Sequence, residues 1–183
     1  FTPDWFGYSM IRNSVHAELY HEILEMAERM DFPIEGLHTE TGPGVLEAAI
    51  AYDRAEAAAD KGALFKTFMK VLAQRNGLMA TFMAKWSGKY PGQSGHIHVS
   101  LRDLASGKSA FHDPSQAHNM SKIQRHFLAG QQRLMPEFLC MVAPTLNSYR
   151  RLIPGFWAPT DATWGVENRT AALRVIPGTD KSQ

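Results

Sequence analysis

The sequence predicts an α+β fold, an antiparallel sheet with flanking helices. Three observations carry this expectation: helical periodicity in three separated segments, a short segment of strict alternation between them, and two hairpin-like returns marked by glycine and proline. With 183 residues, of which 44% are hydrophobic, the chain is long enough for a single domain over 1–183 that buries roughly 70% of its unfolded surface. No internal repeat is visible.

The elements follow in order. Ser14 precedes apolar residues at Leu19, Ile23, Leu24, Ala27 and Met30, with Glu18, Glu22, Glu25, Glu28 and Arg29 facing the other way; this is an amphipathic helix with a hydroxyl cap. After Phe32-Pro33 the segment Ile34 to Thr41 reads as a strand that runs into the break Gly42-Pro43-Gly44. Asp53 and Glu56 have the spacing of a capping box, and the alanine-rich run behind them is helical to about Arg75, where Asn76-Gly77 ends it. Leu78 to Ala84 and Gly95 to Leu101 read as two strands of an antiparallel hairpin with a long loop. Asp103 to Ser109 is a turn-rich connection. Its Gly-Lys-Ser lacks the first glycine of a phosphate loop and opens no helix. Ser121 to Leu139 is helical with an interruption at Pro136, Leu146 to Gly165 is rich in Pro, Gly and aromatic residues, and Arg169 to Pro177 is a closing strand.

Charge and composition exclude several classes. Nineteen Lys+Arg against 18 Asp+Glu give a formal charge of +1 with no run of like sign, so the basic stripe of a nucleic-acid module is missing. The longest apolar stretches, such as Leu78 to Ala84, fall far short of the roughly 20 residues of a membrane helix. The lone Cys140 cannot form an internal disulfide, and its apolar neighbours Phe138, Leu139, Met141 and Val142 predict a buried thiol. Phe1-Thr2-Pro3-Asp4 shows neither an initiator Met nor a signal peptide. The expectation is a reduced, cytoplasmic chain that is a piece of something longer.

Three groups of residues carry chemistry. In Gly95 to Leu101 the period of two places His96, His98 and Ser100 on one face and Ile97, Val99 and Leu101 on the other. Two imidazoles on one face either meet a metal, a carboxylate or a ligand, or stand solvated on a half-exposed strand. Glu40 and Glu47 flank the Gly42-Pro43-Gly44 break, so a chain reversal brings both carboxylates to one point. There they repel unless a cation lies between them. Carboxylates with imidazole and no thiol favour Mg²⁺ or Mn²⁺ over structural zinc; the alternative is two surface glutamates. Between Asn147 and Arg174 lie Arg150, Arg151, Arg169 and Arg174 among aromatic and small residues, planar donors for carboxylate or phosphate. Arg150 is the first candidate for an ordinary surface arginine. Arg169 and Arg174 are five apart, so a regular strand points them to opposite faces; to serve one site, Arg169 must lie at the irregular start of the strand.

Four ordered stretches resemble the glutamine synthetase superfamily: His38-Thr39-Glu40 with Glu47 beyond, Asn76 to Lys85, Ser94 to Leu101, and Asn147 to Gly155 running into Asn168 to Arg174. The resemblance implies a glutamine synthetase-type catalytic domain. It also implies a two-metal ligase in which ATP phosphorylates the γ-carboxylate of glutamate and an amine displaces the phosphate. Residue by residue, Glu40 and Glu47 look like ligands of a first metal ion, Mg²⁺ or Mn²⁺, and His96 like a ligand of a second. His98 and Ser100 match positions lining the ATP site, Arg151 matches the arginine that holds the substrate carboxylate, and Arg169 and Arg174 match arginines facing the phosphates during transfer.

The departures are informative. Trp157 stands where the resemblance places a glutamate that takes a proton from ammonium. Tryptophan accepts no proton and offers an aromatic wall to an alkyl or aryl amine, so Gly155 to Thr160 looks more like the γ-glutamyl-polyamine and related amine ligases. Pro91-Gly92-Gln93-Ser94-Gly95 replaces the usual Asn-Gly-Ser-Gly glutamate-binding stretch. The resemblance further implies an N-terminal β-grasp domain, two more metal-binding glutamates and a final Glu-x-Arg segment, none of which these 183 residues contain. With the active sites shared between subunits of a homo-oligomeric ring, the expectation is that this piece alone has no ligase turnover. The other readings are an ammonia-using glutamine synthetase and a catalytically silent structural relative.

Overall fold

The computed structural model describes residues 7–181, and the N-terminal Phe1-Thr2-Pro3-Asp4 lies outside them. The chain divides into two compact units: residues through Phe82 with Trp86–Tyr90, and Met83–Lys85 with the residues from Pro91 onward.

In the first unit, α1 (Met10–Ser14) is capped by Ser9, whose hydroxyl accepts from the Arg12 amide. The amphipathic helix, α2, spans Ala17–Arg29 and buries Ile23 and Ala27 as its periodicity predicts. Ser14 does not cap it. The chain turns between the two helices, so Ser14 ends α1 and donates its hydroxyl to the Ile11 carbonyl at 2.7 Å, while His16 precedes α2 without a side-chain cap bond. After Asp31 (φ 55°) the chain drops Phe32 into the core, fully buried with Ile23. The Phe32 ring meets Phe65 edge-on at 6.2 Å, and Phe65 meets Phe82 in the same way at 6.1 Å, the geometry that aromatic quadrupoles favour.

Phe65 belongs to α3 (Ala55–Arg75), which ends where expected, at Asn76 and Gly77 (φ 68°). The capping box does not form: Asp53 accepts from the adjacent Arg54 amide at 2.7 Å and pairs with Lys61 at 2.6 Å, so its carboxylate is taken before it reaches the helix amides. Asn76 Nδ2 donates to Glu22 Oε2 at 2.8 Å, linking the end of α3 to α2. Between the helices, β1 (Ile34–Thr39) and β2 (Leu46–Ile50) pair antiparallel, with a register irregularity between Ile34 and Gly36.

In the second unit, α4 (Lys122–Val142) is helical as expected, but the expected interruption at Pro136 is absent: the helix continues through it. Ser121 caps it, accepting from the Gln124 amide at 3.1 Å while donating its hydroxyl to the Ala110 carbonyl at 2.6 Å. A short α5 (Leu146–Arg151) follows within the stretch that composition marks as loop. β3 (Trp164–Val166) and β4 (Leu173–Val175) pair in parallel. Met120, Leu128 and Val175 form the core, with Val166 and Leu173 packed against it.

The α+β class holds, with one antiparallel and one parallel pair in place of a single antiparallel sheet. Neither Leu78–Ala84 nor Gly95–Leu101 joins a ladder. A strand needs a partner for its backbone donors and acceptors; across the intervening loop Gln93 bonds back without forming a ladder, its amide to the Ala84 carbonyl at 2.9 Å and its side chain to the Met83 carbonyl at 3.1 Å. Ile97, Val99 and Leu101 are exposed accordingly. The expectation of a buried Cys140 also fails: Cys140 is exposed, beside exposed Met141 and Val142 near the end of α4. An apolar neighbourhood in sequence does not bury a helix residue on the solvent side. No helix among the described residues is long and apolar enough to cross a membrane.

Candidate functional site

The first cluster grows from the β1–β2 reversal. The turn is closed by Glu40 N–H to the Val45 carbonyl at 2.9 Å and Val45 N–H to the Gly42 carbonyl at 3.2 Å, with Gly42 and Pro43 buried and Gly44 at φ 73°, a conformation that glycine adopts without strain. The ladder sets His38 opposite Glu47. Period-two alternation carries Glu40 to the side of His38, and the ligand atoms of His38, Glu40 and Glu47 all lie within 4.8 Å of one another.

Glu40 is the best held of the three. Its Oε1 accepts from the Tyr8 hydroxyl at 2.5 Å and lies 3.7 Å from His38 Nδ1, its Oε2 accepts from the Thr41 amide at 3.3 Å, and the Tyr8 ring rests 4.8 Å from the His38 ring. Two carboxylates and one imidazole fit a hard divalent ion of the Mg²⁺ or Mn²⁺ kind. Glu40 and Glu47 are the pair expected from the sequence; His38 is an addition, although the alternation that places it beside Glu40 is present in the sequence. Tyr8 carried no such signal, because its contact with Glu40 spans 32 positions.

The remaining candidates belong to the second unit. His96 and His98 stand side by side, exposed, with ring centroids 6.4 Å apart and planes at 77°; Ser100 beyond them is exposed as well. No third carboxylate, thiol or imidazole joins the two histidines in a cluster among the described residues.

Arg151 closes α5, whose start is fixed by a reciprocal capping box between Thr145 and Ser148. Its stem packs against Gly92, where an added Cβ would come within 2.1 Å of the Ala84 carbonyl oxygen and 2.8 Å of Arg151 Cγ. The guanidinium is half-buried, its Nε has no hydrogen-bond partner, and burial pushes its pKa down from the usual arginine value. A buried N–H without an acceptor costs about 1–3 kcal/mol, and a carboxylate is the group a guanidinium fork pairs with best.

Beyond α5, Gly155 (φ 82°) and Trp157 (φ 57°) shape a loop on which the Trp157 side chain is 71% exposed. Trp157 flanks a shallow groove of about 420 Å³ together with Pro159, Thr160 and Thr170. Arg169 is exposed in the turn before β4 and Arg174 lies within β4 opposite Gly165. Arg169 thus lies ahead of the regular strand, the position its spacing requires if both arginines serve one site. Arg150 is exposed.

Comparison with known proteins matches this chain to a family. Residues 5–183 match the family described as glutamine synthetase, catalytic domain. Type-1 glutamine synthetase 2 of Dictyostelium discoideum is 50% identical over 94% of this chain and 33% of its own length. Glutamate–isopropylamine ligase of a Pseudomonas species is 37% identical over 92% of this chain and 37% of its own length. A solved structure described as apo GmaS without ligand superimposes with a TM-score of 0.85 at 28% identity, covering 95% of this chain and 40% of that one. The chain belongs to the glutamine synthetase family, and spans about a third of the length of the curated relatives it matches.

Proposed function

We propose that the chain is part of the catalytic domain of an ATP-dependent ligase that joins the γ-carboxylate of glutamate to an amine larger than ammonia. The observation that carries this reading is Trp157, exposed on the loop that follows the Arg151 helix. A glutamate there would accept a proton from ammonium; an indole instead presents an aromatic face to an alkyl chain or a cation. The likeness to glutamate–isopropylamine ligase supports it.

In this reading Arg151 takes the carboxylate that its Nε lacks. Glu40 and Glu47, with His38 beside them, hold one Mg²⁺ or Mn²⁺, and His96 contributes to a second. Bound metal ions neutralise the oxygens of the transferring phosphoryl group. His98 and Ser100 line the nucleotide, and Arg169 and Arg174 stabilise the charge that develops on the phosphates. A γ-carboxylate oxygen attacks the terminal phosphorus of ATP as ADP leaves; the amine nitrogen then attacks the acyl carbon, phosphate leaves with the carboxylate oxygen, and the nitrogen loses a proton.

A second reading, glutamine synthesis from ammonia, draws on the 50% identity to the Dictyostelium protein. The deciding experiment is phosphate release by the full-length parent with ATP, Mg²⁺ and glutamate against ammonia, alkylamines, ethanolamine, polyamines and aromatic amines. Release with a bulky amine and not with ammonia is the expected result. Release with ammonia alone makes the second reading correct, and silence throughout favours a catalytically silent structural relative.

A further inference from the structure

Lys85 is an unusual residue for its place. Its side chain is only 9% exposed, and lysine is rarely buried without a partner. One contact of its ammonium is an aromatic face: Lys85 Nζ lies 4.7 Å from the centroid of the Phe156 ring, within the range of a cation–π contact. The Lys85 backbone is held independently. Its N–H donates to Asn147 Oδ1 at 2.9 Å and its carbonyl accepts from Asn147 Nδ2 at 2.8 Å, a two-bond grip like that between paired strand residues. Asn147 lies in α5, the helix that ends in Arg151. The neighbouring Ala84 carbonyl accepts from the Gln93 amide and abuts Gly92, which in turn packs on Arg151.

Residues 84–85 therefore brace three things at once: the Arg151 helix, the 91–93 stretch and the loop beyond α5. That loop needs an anchor. Gly155 and Trp157 both have positive φ, and a bulky residue in that conformation persists only where its surroundings hold it. Trp157, at 71% exposure, has little packing of its own. Phe156, between the two, meets Lys85, and Ala158 on the far side of Trp157 is buried.

We propose that Lys85 is a positioning residue for the Trp157 loop: its cation holds the Phe156 ring, and its backbone registers that ring against the helix of Arg151. For catalysis this means that Lys85 sets how closely the aromatic wall approaches the amine, a consequence that rests on the ligase reading above.

The test separates the two. Amide hydrogen exchange of residues 155–160 is measured in the full-length protein for wild type, Lys85→Met, Lys85→Arg and Phe156→Leu. Exchange in this loop is expected to rise about tenfold in Lys85→Met and Phe156→Leu, the change expected from losing a partly buried cation–π contact, and to stay near wild type in Lys85→Arg, with α4 unchanged in all. Wild-type loop exchange in Lys85→Met overturns the proposal, whatever the enzyme ligates. Should Lys85→Met fail to fold, Phe156→Leu decides in the same way, since that ring is 37% exposed. In steady-state assays Lys85→Met raises KM for the amine while KM for ATP holds, and Lys85→Arg restores it. A loosened loop with an unchanged amine KM overturns the part concerning amine choice. Absence of turnover in wild type counts against the ligase reading alone, and loop exchange still decides for or against the anchor.

Discussion

Glu47 of β2 stands directly across the ladder from His38 of β1, and Glu40, just past the end of β1, brings a second carboxylate to the same point. The three residues are gathered by a single reversal of the chain. Nothing distant is needed to assemble them, although Tyr8 comes from elsewhere to hold Glu40 by its hydroxyl.

This cluster predicts metal affinity. In titrations of the full-length protein with Mn²⁺, Glu40→Gln and Glu47→Gln should each weaken binding about tenfold or more, as loss of a charged ligand does, and Tyr8→Phe by less, as loss of a group that orients a ligand does. Unchanged Mn²⁺ binding in both glutamine variants would remove the cluster from the site.

Gly92 predicts a steric penalty. A methyl group there meets the Ala84 carbonyl and the stem of Arg151, and backbone has little room to give. Gly92→Ala should cost about 1–3 kcal/mol in denaturant unfolding and raise KM for glutamate by displacing Arg151. Stability equal to wild type would show that the 91–93 stretch yields freely.

Trp157 predicts a separation of stability from specificity. Its side chain is mostly in solvent, so Trp157→Glu should change the unfolding free energy by no more than about 0.5 kcal/mol while raising turnover with ammonia relative to larger amines. An amine preference that does not move would sink the role given to the indole.

The Asp53–Lys61 pair predicts a pH dependence. The hydrogen bond from Lys61, aided by the Arg54 amide, holds the Asp53 pKa below its ordinary value, and the bond to Asp53 raises that of Lys61. A depressed carboxylate stabilises the fold above its unfolded pKa and loses that contribution as pH falls through the folded one; the raised lysine contributes below its unfolded pKa and loses it as pH rises through the folded one. The pair is therefore intact at neutral pH. The stability gap between wild type and Asp53→Asn should be constant near pH 7 and shrink once pH drops below the ordinary aspartate range near about 3.9. A gap that persists at lower pH would mean that the carboxylate acts otherwise.

The long elements were legible because their signals are local. α2 follows from its apolar spacing and α3 from its alanine-rich run, and the stops at Asn76-Gly77 and Gly42-Pro43-Gly44 belong to residues that set backbone conformation themselves. Local signals also misled. Asp53 has the right neighbours for a capping box, but its carboxylate found Lys61 first. The alternation of His96 and His98 marks a strand, yet no partner strand pairs with it.

The sequence by itself determined the α+β class, the three long helices and the reversal that gathers Glu40 and Glu47, because each depends on periodicity or turn chemistry within a few residues; the family was legible in four ordered stretches of residues. Only the tertiary structure decided that Cys140 faces solvent, that Tyr8 holds Glu40, that Gly92 must lack a side chain for Arg151 to pack, and that Lys85 lies under Phe156. These relations join residues far apart in the chain, and what brings them together is the packing of whole elements.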